Sequence, residues 1–426
     1  MLLSKHINRN KYIFIFQTKF KKLINMRSEC WCVGVKLIFI FVLLSLKEIN
    51  NVQGSYLETT YPKSVIEDAN LDTIQLLQKY NYPAERHFVT TEDNYILGLH
   101  RLARPGAPPI IMMHGLLDSS ATWIIMGPQK APAYYFYDNG YDVWLGNARG
   151  NRYSRNHTSM DPSKDPEYWT FSWHEIGFYD LPATIDYIQQ QTGFKKTGYF
   201  GHSQGTTSFW VLCSMHPEYN EKITLMHALA PVAFMKHIKA PLLSYAKSFV
   251  KATHTQIREF VPRTDLLWRT CLASPVTEAT CLGTYYQIVG KDTETTNKTM
   301  IPAILGHIPA GCNLKQIIHY MQLIDNDNFC QFDYGAQENV KRYGKATPPA
   351  YDLEKVTAPV ALYYTLNDYL SSEIDVKHLA ELLPNVVEDC LYPHKKWNHM
   401  TMLWGIDARE MAHHRMLELM KNYSYE

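Results

Sequence analysis

The sequence predicts an α/β fold: a mostly parallel sheet flanked by helices and interrupted by a long helical insertion. From Tyr95 onward, short apolar runs bounded by breakers alternate with longer mixed segments, the pattern of strands separated by helices. Between about Ala233 and Val356 that alternation stops, and the chain is rich in aromatics and Met with no clear strand. It restarts at Pro359-Val360-Ala361-Leu362-Tyr363-Tyr364. A chain of 426 residues exceeds the usual single-domain size, so one large domain with an insertion, or two domains, is expected.

The strands are legible as buried runs. Ile110–Met113 follows the breaker Pro108-Pro109, and Tyr141–Leu145 follows Asn139-Gly140. Thr197–Phe200 and Met226–Leu229 come next, with a later strand near Asn385–Leu391. Helices are predicted over Asp180–Gln191, over Gln204–Met215 before Pro217, and over Ala408–Lys421.

The amino terminus reads as an export signal. Leu37–Leu46 is a ten-residue apolar run preceded by Arg27 and Lys36, short of the roughly twenty residues needed to span a bilayer. Val52-Gln53-Gly54 offers a cleavage site, leaving Ser55 as the first mature residue. Met26 as initiator gives a more ordinary signal than Met1, whose basic stretch Lys19–Lys22 lengthens the n-region. The competing reading is an uncut membrane anchor; a stable anchor is not expected. The expected layout is then an extension and signal over 1–54, core over 55–232, a cap over 233–356, and core again over 357–426.

Six of the eight Cys remain after such a cleavage. Cys271 with Cys281 is one way to close a loop and Cys312 with Cys330 another, although spacing alone does not fix connectivity. Three sequons at Asn156, Asn297 and Asn422 are glycosylation candidates usable only in a secretory compartment. A net charge of +1 leaves no basic excess to neutralise phosphates, so nucleic acid is excluded as the main partner.

Gly201-His202-Ser203-Gln204-Gly205 carries the chemistry. Chance alone supplies a Gly-x-Ser-x-Gly about 0.15 times in a chain of this length, so its placement decides. A strand-like run ends at Phe200, the pentapeptide follows, and a helix opens at Thr206, the order a nucleophilic serine on a strand-to-helix turn requires. The acid should follow a strand beyond the insertion: Asp368 does, four residues after Tyr364, while Asp375 reads as a solvated or capping carboxylate. The base should lie between the last strand and the terminal helix. His399 in Trp397-Asn398-His399-Met400 fits, with His394 the competitor. His413 and His414 read as surface helix residues, and His202 as unable to reach back to the serine hydroxyl. Two amides are needed for an oxyanion, and Gln204 and Leu116, the latter in His114-Gly115-Leu116-Leu117, are the candidates.

These residues resemble the acid lipase family of α/β-hydrolases, which includes gastric lipase and lysosomal acid lipase. The resemblance is carried by His114–Leu117, Gly146–Asn151, Tyr179-Asp180-Leu181-Pro182-Ala183, Gly201–Thr207, His307-Ile308-Pro309-Ala310-Gly311, Asn367–Leu370 and Asn398-His399, in order from about Tyr61 to Met420. It implies an α/β-hydrolase core with a helical cap, and a triad of Ser203, Asp368 and His399. It also implies a cap disulfide near Cys271 and Cys281. Two departures stand out: Tyr369-Leu370-Ser371 where the family usually has Trp-Leu-Ala after the acid, and Thr401-Met402 where it usually has Asp-Phe after the base.

The implied protein is a secreted or lysosomal lipase acting on neutral lipid esters at lipid–water interfaces, with no metal and no cofactor. A short-chain carboxylesterase and a non-catalytic lipid-binding protein are the alternatives. Phe234, Met235, Phe249, Trp268 and Met300 are expected either to line an acyl pocket or face lipid, or simply to pack within the cap.

Overall fold

The computed structural model describes residues 55–241, 243, 258–261 and 265–426. The predicted signal and Phe249 lie outside the described residues. One sheet organises the molecule, with strands β1 (Ala84–Thr90), β2 (Tyr95–Leu102), β3 (Pro109–Met113), β4 (Asp142–Leu145), β5 (Asn156–His157), β6 (Thr197–His202), β7 (Ile223–Leu229), β10 (Val360–Thr365) and β11 (Val386–Tyr392). Their order is β1-β2-β4-β3-β6-β7-β10-β11, with β5 paired to β2. From β4 to β11 all neighbours run parallel, whereas β1 and β2 are antiparallel.

Burial explains which strands the sequence announces. In β3, β6, β7 and β10 every residue is buried, as expected for central parallel strands covered on both faces. Side chains alternate between two cores: Ile110, Met112 and Phe200 enter one, and Ile111, Met113 and Tyr199 the other. Edge strands β1 and β11 alternate exposed and buried positions. The sequence of β1, Ala-Glu-Arg-His-Phe-Val-Thr, therefore carries few apolar residues and gives no apolar run.

Helix α1 (Leu181–Thr192) and helix α2 (Gln204–Met215) follow as predicted. Between β7 and β10 the chain forms α3 (Asp265–Cys271), α4 (Pro275–Val289), α5 (Ile301–His307), α6 (Leu314–Asp325) and α7 (Ala336–Tyr343). The expectation of a strandless insertion needs correction. Two-residue strands β8 (Glu259–Phe260) and β9 (Cys312–Asn313) pair there, too short to leave a periodic signal.

Cys271 and Cys281 form a disulfide that joins α3 to α4. Cys312 and Cys330 are buried free thiols, so the second pairing considered is not formed. Among the described residues, no helix is long and apolar enough to cross a membrane.

Candidate active site

The loops that follow β3, β6, β10 and β11 meet at the carboxyl ends of the parallel strands. The strand order reverses between β3 and β6, the position where open α/β sheets place their ligands.

Ser203 sits on a turn made by one residue. Its N–H still donates to the Leu229 carbonyl at 3.0 Å, continuing the β6–β7 ladder, and α2 begins at the next residue. The turn requires φ 50° and ψ −114° at Ser203, a left-handed conformation costly for a residue with a side chain. The flanking glycines are dictated by space. A Cβ on Gly205 would lie 2.3 Å from the Met113 carbonyl oxygen, and one on Gly201 would lie 2.9 Å from the Thr206 amide nitrogen. Gln204, buried, opens α2, so its N–H is one of the four without an intrahelical acceptor. Ser203 makes no side-chain capping bond to that helix end.

The loop after β3 crosses directly over this turn. A Cβ on Gly115 would meet His202 Nδ1 at 3.0 Å and Ser203 Cβ at 3.2 Å. His114 fixes the loop's course: its Nδ1 donates to the Gly115 carbonyl at 2.7 Å. Its Nε2 accepts from the Ala148 amide at 3.1 Å and from Asn151 Nδ2 at 3.0 Å. Burial lowers the His114 pKa to about 4, which keeps this ring a neutral acceptor. The Gly146–Asn151 motif thereby supports the loop after β3. Arg149 in turn anchors that motif, its Nε donating to Asp180 Oδ1 at 2.7 Å and its Nη2 to Asp93 Oδ1 at 2.8 Å. The His307–Gly311 motif of the insertion acts on the same loop, because the Ala310 amide donates to the Leu117 carbonyl at 2.6 Å. Leu116 itself is half-buried and packs against one core.

Asp368 and His399 are brought together and buried. His399 Nδ1 donates to Asp368 Oδ2 at 2.8 Å, with Oδ1 at 3.0 Å. Asp368 Oδ1 also accepts the amides of Leu370 and Ser371, both at 2.8 Å. With the proton on Nδ1, Nε2 is the acceptor nitrogen; it is buried and makes no hydrogen bond, so its lone pair is free. His202 connects this pair to the turn. Its ring lies 4.9 Å from that of His399, and its Nε2 donates to the His399 carbonyl at 2.8 Å. Burial, reinforced by the neighbouring His399, lowers the His202 pKa to about 3, so its ring stays neutral beside His399.

The competing residues fall elsewhere. His394 is half-exposed and accepts the Lys396 amide within its own turn. Asp375 is buried rather than solvated: it pairs with His237 Nδ1 at 2.6 Å and accepts the His237 amide. His413 is also buried, donating to the Met402 carbonyl, while His414 is exposed. Phe234, Met235, Trp268 and Met300 all pack into hydrophobic cores, the second of the two outcomes considered. Asn156 and Asn422 are exposed and Asn297 half-buried. Among the described residues no group of three or more His, Cys, Asp or Glu is arranged to hold a metal ion.

Sequence reasoning placed Asn367 and Asn398 in motifs but gave neither a role, and the structure shows that they hold the two loops. Asn367 Nδ2 donates to the Lys291 and Lys396 carbonyls at 2.9 and 2.8 Å, and Asn398 Nδ2 to the Gly290 carbonyl at 2.9 Å. Both asparagines adjoin a site residue, the one available signal. The Ser371 hydroxyl, at a departure from the family pattern, donates to the Pro231 carbonyl at 2.6 Å and ties the acid loop to the end of β7.

Known proteins are similar to this chain over most of its length. The model of a "Partial alpha/beta-hydrolase lipase region" matches residues 73–127, and that of the "alpha/beta hydrolase fold" matches 108–270. Lipase 1 of Drosophila melanogaster is 46% identical over 365 residues, covering 84% of this chain and 81% of that protein. Gastric triacylglycerol lipase of Rattus norvegicus is 35% identical over 370 residues, covering 83% and 92%. Lipase member K of Homo sapiens is 34% identical over 373 residues, covering 84% and 92%. A crystal structure from Sulfolobus solfataricus shares the fold at a TM-score of 0.53 and 14% identity, covering 80% of this chain and 94% of that one.

Proposed function

We propose that this chain, which belongs to the acid lipase family of the α/β-hydrolases, hydrolyses carboxylic esters of neutral lipids through Ser203, His399 and Asp368. The observation that carries the site assignment is the buried Asp368–His399 pair, held to the Ser203 turn by His202 and leaving Nε2 free. Catalytic hydrogen bonds are often open in a resting enzyme and close with substrate, which suits an Nε2 without a partner.

His399 Nε2 takes the Ser203 proton as Oγ attacks the ester carbonyl carbon. Asp368 holds the imidazole in the required tautomer and stabilises the imidazolium that forms. The Leu116 and Gln204 amides receive the oxyanion, each worth about 3–4 kcal/mol in systems where such a donor was removed. His399 returns the proton to the departing alcohol, and an ester forms between Ser203 and the acyl group. Water then repeats the sequence, releasing the fatty acid and restoring the hydroxyl.

Triacylglycerol or sterol ester is the substrate class, supported by relatives named as lipases, one of them a triacylglycerol lipase. Leu266 and Val276, 60% and 70% exposed on the disulfide-linked α3–α4 pair, support contact with a lipid surface. The disulfide and the exposed sequons at Asn156 and Asn422 support passage through the secretory pathway to the outside or the lysosome. Residues 233–356 form the cap in this reading.

The test is turnover of triolein, cholesteryl oleate and a short-chain ester from pH 4 to 9, by wild type and Ser203→Ala. Wild type turns over a long-chain ester, and Ser203→Ala loses activity by a factor on the order of 10⁶. Turnover of the short ester alone makes the chain a carboxylesterase. Lipid binding without turnover makes it a carrier, and equal rates for the two proteins remove Ser203 from the mechanism.

A further inference from the structure

The insertion does more than cover the site. Just past the end of α4 its chain runs against the loop that carries His399. The Val289 carbonyl accepts the His399 amide at 3.1 Å, and the Gly290 carbonyl accepts from Asn398 at 2.9 Å. Asp292, fully buried, comes next. Its Oδ2 accepts from the Thr401 hydroxyl at 3.0 Å and from the Thr295 hydroxyl, while Oδ1 accepts the Thr295 amide at 2.9 Å and the Glu294 amide at 3.1 Å. The carboxylate is therefore fixed by its own segment and presents one lone pair outward, to Thr401.

Thr401 passes the constraint on. Its Oγ1 accepts the Asn398 amide at 2.9 Å and lies 2.9 Å from Asn398 Oδ1, which in turn accepts the Met400 amide at 3.0 Å. Residues on both sides of His399 are thus tied into one network that ends on Asp292.

We propose that Asp292, acting through Thr401, is a positioning residue for the base His399, so that the insertion sets the geometry of catalysis. The role rests on the reading of Ser203 and His399 as nucleophile and base. Around the His399 ring the charged or titratable groups are Asp368 on the acid loop and His202 on the turn, with Asp292 behind Thr401. Displacing the loop loosens the Asp368–His399 bond, and misplacement of reacting groups by about 1 Å costs up to about 10²-fold in rate.

Thr401→Val removes the hydroxyl at nearly constant shape, Thr401→Ser keeps it, and Asp292→Ala removes the carboxylate. Each is measured by kcat, KM and the rate at which a fluorophosphonate labels Ser203. Thr401→Val lowers kcat and the labelling rate by about tenfold with KM changed less than about twofold, and Thr401→Ser restores both.

Unchanged rates in Thr401→Val and Asp292→Ala overturn the proposal. So does a loss that Thr401→Ser does not rescue, or that disappears when rates are taken per active-site titre, which is what simple destabilisation gives. If Asp292→Ala does not fold, the two Thr401 variants decide. A wild type that neither turns over esters nor takes the label at Ser203 overturns the hydrolase reading and this role with it. An active wild type indifferent to Thr401→Val overturns this role alone.

Discussion

The turn of Ser203 is shaped by five residues set against the central strands, whereas the loop of His399 is held by residues of the insertion more than a hundred positions away. At the serine, a left-handed residue and two glycines without space for a Cβ shape the turn, closed against the Leu229 carbonyl of β7 and the Met113 carbonyl of β3. At the histidine, the constraints come from Gly290 and Asp292, at separations of 108 and 109 residues. A site built this way has a rigid half made by local chain geometry and a dependent half made by docking. Segments 289–296 and 307–311 of the insertion are bonded to the loop of His399 and to the loop after β3.

The largest effect expected from breaking the local half is that of Gly205→Ala. The added Cβ meets a backbone oxygen at 2.3 Å, and no rotamer change relieves it. A cost on the order of 3 kcal/mol or more is expected, lowering the melting temperature by roughly 4 °C or more. Esterase activity falls with it, since α2 carries the Gln204 amide. Gly283→Ala is the control: on α4 of the insertion a Cβ meets nothing within 4 Å. That variant should melt within a degree or two of wild type or above it, because alanine favours helix by about 1 kcal/mol over glycine. Equal melting of the two variants would show that the turn is not sterically locked.

The same contrast decides what the sequence reveals. The elbow was legible because its requirements are local: an apolar run, Gly-x-Ser-x-Gly, a helix start. Central strands were legible because burial on both faces makes them continuous apolar runs, and β1 was not, because an edge strand mixes Glu, Arg and His with Phe and Val. Asp368 and His399 were reachable through chain order and their place after strands. Asp292 was invisible, since one acidic residue among many gains meaning only when folding brings Thr401 to it. Asp375 and His413 misled for the same reason, reading as surface residues until their partners His237 and Met402 are known.

His202 spans the two halves and offers an intermediate perturbation. It belongs to the elbow, yet its Nε2 donates to the carbonyl of His399. His202→Phe keeps a ring against Gly115 and removes that donor, leaving a buried carbonyl unsatisfied at a cost of about 1–3 kcal/mol. A fall in kcat several-fold beyond any loss of folded protein, measured against active-site titre, is expected. Lower melting with unchanged kcat would mean that the base loop is held from the insertion alone.

The smallest effect concerns acid. Buried neutral histidines gather in and beside the sheet: the pKa of His227 is lowered to about 3 by burial, with His202 at about 3 and His114 at about 4. His227 lies in β7, its ring stacked 4.4 Å from Phe200 in the strand that delivers Ser203, and its Nε2 has no hydrogen bond. Each of these values lies below the roughly 6.5 of an unfolded chain, so the unfolded state binds protons that the native state refuses. Their contribution to stability is complete above about pH 6.5 and is lost as pH falls toward 3–4. His227→Phe keeps the stack and removes one such group, while the Tyr363 hydroxyl retains its bond to Glu388 at 2.7 Å. Melting near pH 8 should change little, and the midpoint of acid unfolding should move down by about 0.3 pH unit. Unfolding followed by fluorescence between pH 7 and 3 measures it. An unmoved midpoint would mean that acid unfolding is not set by His227 in the sheet beneath Ser203.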